Sequence, residues 1–214
     1  MKKWSKSQPA RQHRALMLRT CDADMSSFGG FAWPRKGYVA APDWDPREVC
    51  GGGLHGLLWG HGNCALIPRG NGQVWMVVEV DAREVVDLGG KVKVPRGRVL
   101  YAGDQVTATQ WIEREAPEGK RGGCHLITHA GDYGTATAGD HGTATAGDYG
   151  TATAGYGGTA TAGEGGTATA GEGGEIRIQW WDGKRYRCAI GYVSDGIAPN
   201  VAHQVNDKGE LAPA

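Results

Sequence analysis

Polar and apolar positions follow two regimes along this chain. From Ala130 it reads AGDYGTAT, AGDHGTAT, AGDYGTAT, AGYGGTAT and AGEGGTAT, and a sixth unit opens as AGEGG at Ala170 before changing to EIRIQWW. Threonine and alanine alternate inside each eight-residue unit, the period-two pattern of a strand with two unlike faces. Each octad therefore predicts a turn, AGxxG, and a strand, GTATA, with threonines outward and alanines inward. The outward set is Thr135 and Thr137, Thr143 and Thr145, Thr151 and Thr153, Thr159 and Thr161, and Thr167 and Thr169. After Gly174 the alternation persists with larger inward residues: Ile176, Ile178 and Trp180 point in, and Glu175, Arg177 and Gln179 point out. A three-residue loop, Trp181-Asp182-Gly183, then places Ile178 opposite Tyr186 and Ile176 opposite Cys188 on one face. This hairpin predicts a cap on the repeat, with Cys188 as a small core residue. Asn200–Val205 reads as one further strand.

Upstream the pattern is irregular. His13–Cys21, Gly37–Ala41, Gly53–Trp59 and Val74–Asp81 read as strands, Lys91–Tyr101 as a strand pair around Pro95-Arg96-Gly97, and Asp104 as the N-cap of a helix through Glu115. Gly122–His129 fits a degenerate octad with Cys124, His125 and Leu126 at its turn, a first capping coil. The expected organisation is mostly β: an N-terminal α+β head domain over 1–121, an octapeptide-repeat β-solenoid over 122–174, and a β-hairpin cap and tail over 175–214.

Eight residues supply one strand and one corner but cannot close a coil, whereas sixteen can, so the repeat predicts a coil flattened into two faces. One face stacks the first, third and fifth threonine pairs, and the other the second and fourth. Coils stack at ~4.8 Å and alternate strand residues lie ~6.7 Å apart, which makes each face a hydroxyl lattice. The unit AGYGGTAT at Ala154–Thr161 resembles the octapeptide of bacterial ice nucleation proteins, whose 16-residue coils carry Thr-x-Thr on a strand and a tyrosine in the turn. The resemblance covers about 45 residues and implies a β-solenoid; the ice-ordering activity it implies depends on many coils, and this chain has two and a half. Tyr133 and Tyr149 stand one place later in the octad than Tyr156, and Glu164 and Glu172 replace tyrosine, so the family's tyrosine ladder is interrupted here. APDW at Ala41–Trp44 and CGGGLHGLLWG at Cys50–Gly60 resemble an uncharacterised bacterial and phage domain found ahead of such octads.

Composition sharpens this picture. Of 37 glycines in 214 residues, 15 lie in residues 130–174, so the glycine excess belongs largely to the repeat. Net charge is zero, which excludes a general pull toward nucleic acid or an anionic membrane. The charge is segregated, however: residues 1–129 carry 18 basic and 13 acidic side chains, and residues 130–174 carry no basic and five acidic. A net +5 head beside a −5 repeat favours contact within or between chains. Asp132, Asp148 and Glu164 fall along one edge of the coil and Asp140 and Glu172 along the other, where stacked like charges repel unless solvent screens them. No run approaches ~18 apolar residues, and the basic start at Lys2 and Lys3 leads only to Ala15–Leu18, too short for a secretory signal. Five scattered cysteines argue against a disulfide framework, so the expected compartment is the reducing cytoplasm, with an extracellular or virion-associated placement by another route left open.

One cluster suggests chemistry. Cys50-x4-His55-x5-His61-x2-Cys64 offers two thiols and two imidazoles, although the spacing is not a standard zinc signature and His55, inside an apolar run, reads as a satisfied core histidine. GGGLHG lacks the Lys-Ser/Thr of a phosphate loop, and Trp33–Tyr38 is too sparse in basic residues for nucleic acid. No catalytic residue and no cofactor are assigned. The leading expectation is a non-enzymatic structural or interaction protein that self-assembles into an oligomer or filament. One alternative is an ice-binding or ice-ordering protein acting through its Thr-x-Thr faces; another is an unrecognised enzyme in the head. The expected partner is a second copy of the chain, with ice as the alternative and neither nucleic acid nor membrane.

Overall fold

The computed structural model describes residues 11–67 and 72–214, so the basic start at Lys2 and Lys3 lies outside the described residues. Two compact units divide the chain, Met1–Arg121 and Gly122–Ala214.

The first unit contains β1 (Arg14–Cys21), β2 (Ser26–Ser27), β3 (Phe31–Ala32), β4 (Gly37–Ala40), β5 (Leu54–Leu58), β6 (Val74–Asp81), β7 (Val86–Asp87), β8 (Val92–Val94), β9 (Arg96–Gly103) and α1 (Gln105–Glu115). Seven strands form one sheet in the order β4-β9-β6-β1-β5-β8-β7, while β2 and β3 pair separately. The central β1 and β6 pair along their whole length, from Arg14 opposite Asp81 to Cys21 opposite Val74. Both are buried on both faces, with Leu16, Met17, Leu18, Met76, Val77 and Val78 in the core, as their near-continuous apolar runs require. The helix starts where Asp104 Oδ1 accepts the Thr107 N–H at 2.8 Å. That bond, seconded by the Tyr101 hydroxyl, holds the Asp104 carboxyl down to about 2. Arg14 ties helix to sheet, donating to Glu79 at 2.7 Å and to Glu115 at 3.0 Å.

The strand pair expected around Pro95 is not a hairpin. β8 pairs with β5 and β7, and β9 pairs with β4 and β6. Only Pro95 separates them, and the shortest common hairpin link is two residues, so the chain runs on to a different part of the sheet instead of folding back.

The second unit is built from β10 (Ile127–His129), β11 (Thr135–Ala138), β12 (Thr143–Thr145), β13 (Thr151–Ala154), β14 (Thr159–Ala162), β15 (Thr167–Ala170), β16 (Glu175–Trp181), β17 (Tyr186–Val193), β18 (Gly196–Ile197), β19 (His203–Val205) and β20 (Leu211–Pro213). They form two sheets, β10-β12-β14-β16-β17-β18 and β11-β13-β15-β19-β20. Successive octads alternate between the sheets, so one coil is sixteen residues, and the solenoid makes about three turns. Strands one coil apart run parallel in strict register, with Thr135 beside Thr151 and Thr151 beside Thr167. Every alanine of the repeat strands is at most 3% exposed, and the interior contains little else until its ends. Leu126 fills one end, and Ile176, Ile178 and Val193 fill the other. The degenerate octad forms the first coil as expected, since β10 stacks on β12 with Ile127 beside Thr143.

The cap departs from its expected register. Trp181 lies opposite Tyr186, Ile178 opposite Ala189 and Ile176 opposite Gly191, which leaves a four-residue loop, Asp182–Arg185. The Asp182 carboxylate closes that loop by accepting the N–H groups of Lys184 at 2.8 Å and Arg185 at 2.9 Å. One extra loop residue exchanges the faces of β17, so Tyr186 and Cys188 are exposed rather than in the core. The tail causes the difference: Ile197 and Leu211 occupy the space over Gly191, where any side chain would collide with them. Apolar volume expected from Tyr186 and Cys188 is thus supplied by Ile197, Val205 and Leu211, packed against the core from later strands. The predicted strand over 200–205 is shorter, β19, and pairs antiparallel with β15 through Ala168 and His203.

The thin interior gives a test. Ala152→Leu, at a fully buried position, should overfill the coil and cost ~1–3 kcal/mol, while Thr151→Val on the outer face should stay within ~0.5 kcal/mol of the parent. Chemical denaturation of the two variants measures both, and equal tolerance would contradict the inward assignment of alanine.

Candidate functional site

The ten threonines occupy two lattices. On one sheet Thr135, Thr151 and Thr167 form a column, with Thr137, Thr153 and Thr169 forming a second beside it. On the other sheet Thr143 stacks with Thr159, and Thr145 with Thr161. The smaller lattice is bounded on one side by Ile127 and His129. On its other side lie Glu175 and Arg177, which bond to each other at 2.9 Å. The larger lattice is trimmed by the cap, because Gln204 Nε2 donates to Thr167 Oγ1 at 2.9 Å. Pairing in the sequence foretells the lattices; the reach of Gln204 comes from a strand 37 residues away and has no local signal.

The acidic edges are more than solvated turns. Asp132 Oδ1 accepts the N–H of Asp148 one coil later at 3.1 Å. Asp140 accepts that of Tyr156 at 2.9 Å, and Asp148 that of Glu164 at 2.9 Å. Stacked carboxylates therefore bond to backbone instead of facing one another. This bonding demands glycine at the second octad position: a Cβ on Gly147, Gly155 or Gly163 would strike the aspartate of the coil before it. Where no further repeat coil follows, the residue is glutamate. Its longer side chain meets the cap: Tyr186 donates to Glu164 at 3.2 Å, and Ser194 donates to Glu172.

The turn's fourth position has positive φ throughout, at His125, Tyr133, His141 and Tyr149 and then at Gly157, Gly165 and Gly173. Rings stack where they can: Tyr133 and Tyr149 lie 5.2 Å apart and nearly parallel, and His125 and His141 lie 5.5 Å apart. Each column ends at a glycine, since a Cβ on Gly165 would enter the Tyr149 ring and one on Gly157 the His141 ring. The interrupted tyrosine pattern thus leaves one stacked tyrosine pair on one edge, and on the other a tilted histidine pair that Tyr156 meets edge-on.

In the first unit Cys50, His55, His61 and Cys64 are not brought together, and among the described residues no three His, Cys, Asp or Glu side chains form a metal cluster. Cys50 is exposed, with its Sγ 3.1 Å from the Lys91 ammonium. That donor lowers the Cys50 thiol below its ordinary value. His55 is half-buried on β5, and its Nε2 has no partner, so it is not the satisfied core histidine expected. His61 Nε2 lies 3.0 Å from the Lys120 carbonyl. Cys64 is disulfide-bonded and offers no thiolate to a metal. Cys124 is disulfide-bonded too, so the expected reducing cytoplasm is not supported. Among the described residues no helix is long and apolar enough to cross a membrane.

Comparison with known proteins agrees with this division. A family described as a domain of unknown function, DUF7666, matches residues 15–114. Ice nucleation protein InaU of Pantoea ananas is 36% identical over 104 residues, 48% of this chain and 10% of that protein. An ice nucleation protein of Pseudomonas syringae is 37% identical over 101 residues, 46% of this chain and 9% of its own length. One from Xanthomonas campestris pv. translucens is 36% identical over 106 residues, 49% of this chain and 7% of its own. The chain therefore matches a tenth or less of these relatives. No solved structure matches it. With the coil geometry, these likenesses identify an ice-nucleation-like repeat segment.

Two measurements probe the geometry. Asp148→Ala should destabilise the chain by ~0.5–2 kcal/mol because the Glu164 N–H loses its acceptor, and Asp148→Asn should restore most of that loss. A gain in stability for Asp148→Ala would mean that repulsion along the edge dominates. Because the Lys91 ammonium favours the thiolate, the alkylation rate of Cys50 with iodoacetamide should rise at lower pH in the parent than in Lys91→Ala. Superimposed pH profiles would rule out the pairing.

Proposed function

We propose that this chain is a non-enzymatic structural protein whose solenoid orders water into an ice-like layer, and that copies associate to enlarge the ordering surface. Residues 122–174 are the ordering element, 175–214 the cap, and 1–121 a head that carries them. The observation behind this reading is the in-register stacking of Thr-x-Thr on Thr-x-Thr, coil upon coil. Hydroxyls repeated at ~4.8 Å along the axis and ~6.7 Å across it hold first-layer water at fixed spacings, with charged side chains only at the border of the smaller lattice. The similarity to ice nucleation proteins supports the same reading.

Size limits what one copy can do. Three rungs span only ~10 Å along the axis, too small a template to hold an ice embryo. Side-by-side packing of flat faces enlarges the template without new sequence, and a +5 head beside a −5 repeat supplies attraction that weakens with salt. The disulfide-bonded Cys64 and Cys124 support residence in an oxidising compartment rather than the cytoplasm.

Droplet freezing tests the reading. Insertion of further AGDYGTAT-AGDHGTAT coils after Thr161 should raise the freezing temperature progressively, while Thr151→Lys with Thr153→Lys should abolish the gain. Freezing temperatures unchanged by added coils would end the ice-ordering proposal. Light scattering across salt concentrations tests association separately: a monodisperse monomer at low and high salt and high protein concentration would remove self-assembly and leave the lattice standing alone.

A further inference from the structure

We propose that the first unit holds a binding site for a small organic oxyanion, a carboxylate or phosphate monoester with a flat apolar body, whose charge is received by Arg19. Two cavities of about 430 and 520 Å3 share Arg19, Ser27, Phe28, Gly51 and His55 among their lining residues. Volumes of this order suit small-molecule ligands.

Arg19 sets these cavities apart from ordinary surface clefts. Its Nη1 donates to the His55 carbonyl at 2.8 Å and its guanidinium lies 4.4 Å from the Trp33 ring centre. No carboxylate lies within ion-pair distance of it among the described residues, and its buried Nε has no partner. Several other arginines of this unit have carboxylate partners: Arg14 with Glu79 and Glu115, Arg83 with Asp81, Arg96 with Glu84. A guanidinium keeps its charge, and this one, half-buried with its Nε fully covered, has no counter-ion, so the position suits an anion. Burial accordingly lowers Arg19 to about 10.

The surroundings indicate the anion's class. His55 Nε2 is a second buried, unpartnered polar atom on both cavities, and Lys91 adds another cation to the first. Of the acidic residues present, Asp22 accepts from the Ser26 hydroxyl at 3.5 Å and Asp43 from the Gly53 N–H at 3.2 Å. Phe28 is fully exposed at the shared rim and is followed by Gly29 and Gly30, both with positive φ. An exposed phenyl above a cationic floor fits a ligand with an oxyanion head and a flat apolar body.

Titration of the full chain with benzoate, phenyl phosphate, inorganic phosphate and neutral benzamide, read by calorimetry, tests the site. Benzoate or phenyl phosphate should bind saturably at millimolar concentration, about tenfold more tightly than benzamide. Preference for one of the two assigns the head group as carboxylate or phosphate. Arg19→Met should lose that binding about tenfold and stay folded, because Arg19 is half-buried and Met retains the apolar contact with Trp33. Phe28→Ala, at an exposed position, should weaken phenyl phosphate several-fold and leave inorganic phosphate unchanged. The proposal is overturned by no saturable binding of either aryl anion up to ~50 mM, by benzamide binding equally well, or by undiminished binding in folded Arg19→Met. Should Arg19→Met fail to fold, the anion-over-amide preference of the parent and the Phe28→Ala result decide.

Discussion

Stacking of residue i upon residue i+16 is the constraint on which the repeat unit depends. Parallel in-register strands place the repeat's strand threonines and alanines beside their own kind, so these octad positions must tolerate themselves one coil away. Alanine meets alanine without void or clash, and threonine meets threonine with its hydroxyl toward water. Aspartate would repel aspartate, and instead turns its carboxylate to the backbone of the next coil. Glycine at the second octad position is the necessary complement, since it leaves room for that carboxylate. A one-residue insertion anywhere would put threonines inside and alanines outside, and would break the carboxylate ladder as well.

A solenoid this thin cannot stabilise its own ends. Alanine buries little apolar area, and each end of each sheet would leave a row of unpaired donors and acceptors. The chain meets both needs together: Ile176, Ile178 and Val193 bring larger apolar volume, while β17 and β19 continue the two sheets as antiparallel strands, leaving the short β18 and β20 at the edges. The edge chemistry changes at the same place, with glutamates received by hydroxyls of the cap. The lattices are therefore bounded objects: cap residues overlie part of one, and a Glu175–Arg177 pair borders the other.

The first unit follows different rules. Its sheet buries several charged groups, and most are compensated: Glu79 by Arg14, Asp81 by Arg83, and the Lys93 ammonium by the carbonyls of Val49 and Gly51. Among the described residues three buried side-chain atoms lack a partner, Arg19 Nε, His55 Nε2 and the second carboxylate oxygen of Glu79, and of these three residues Arg19 and His55 line the two cavities. The second unit orders a surface by repetition, whereas the first concentrates unmatched polarity in a cavity.

The octad by itself determined the strand positions, the two faces, the sixteen-residue coil and the inward alanines, because a period of two inside a period of eight leaves few ways to close a coil. In the head, local sequence likewise placed the strands Arg14–Cys21 and Val74–Asp81 and the helix after Asp104, where apolar runs and a capping aspartate act locally. Tertiary structure alone decided the register of the cap, since the loop after Trp181 answers to Ile197 and Leu211, which the chain reaches only later. It alone turned the acidic edges into a ladder, because an aspartate and its acceptor N–H are sixteen residues apart and meet only once a coil has closed. The same holds for Arg19: its lack of a carboxylate partner among the described residues depends on which strands surround it, and no sequence window records which partner a side chain lacks.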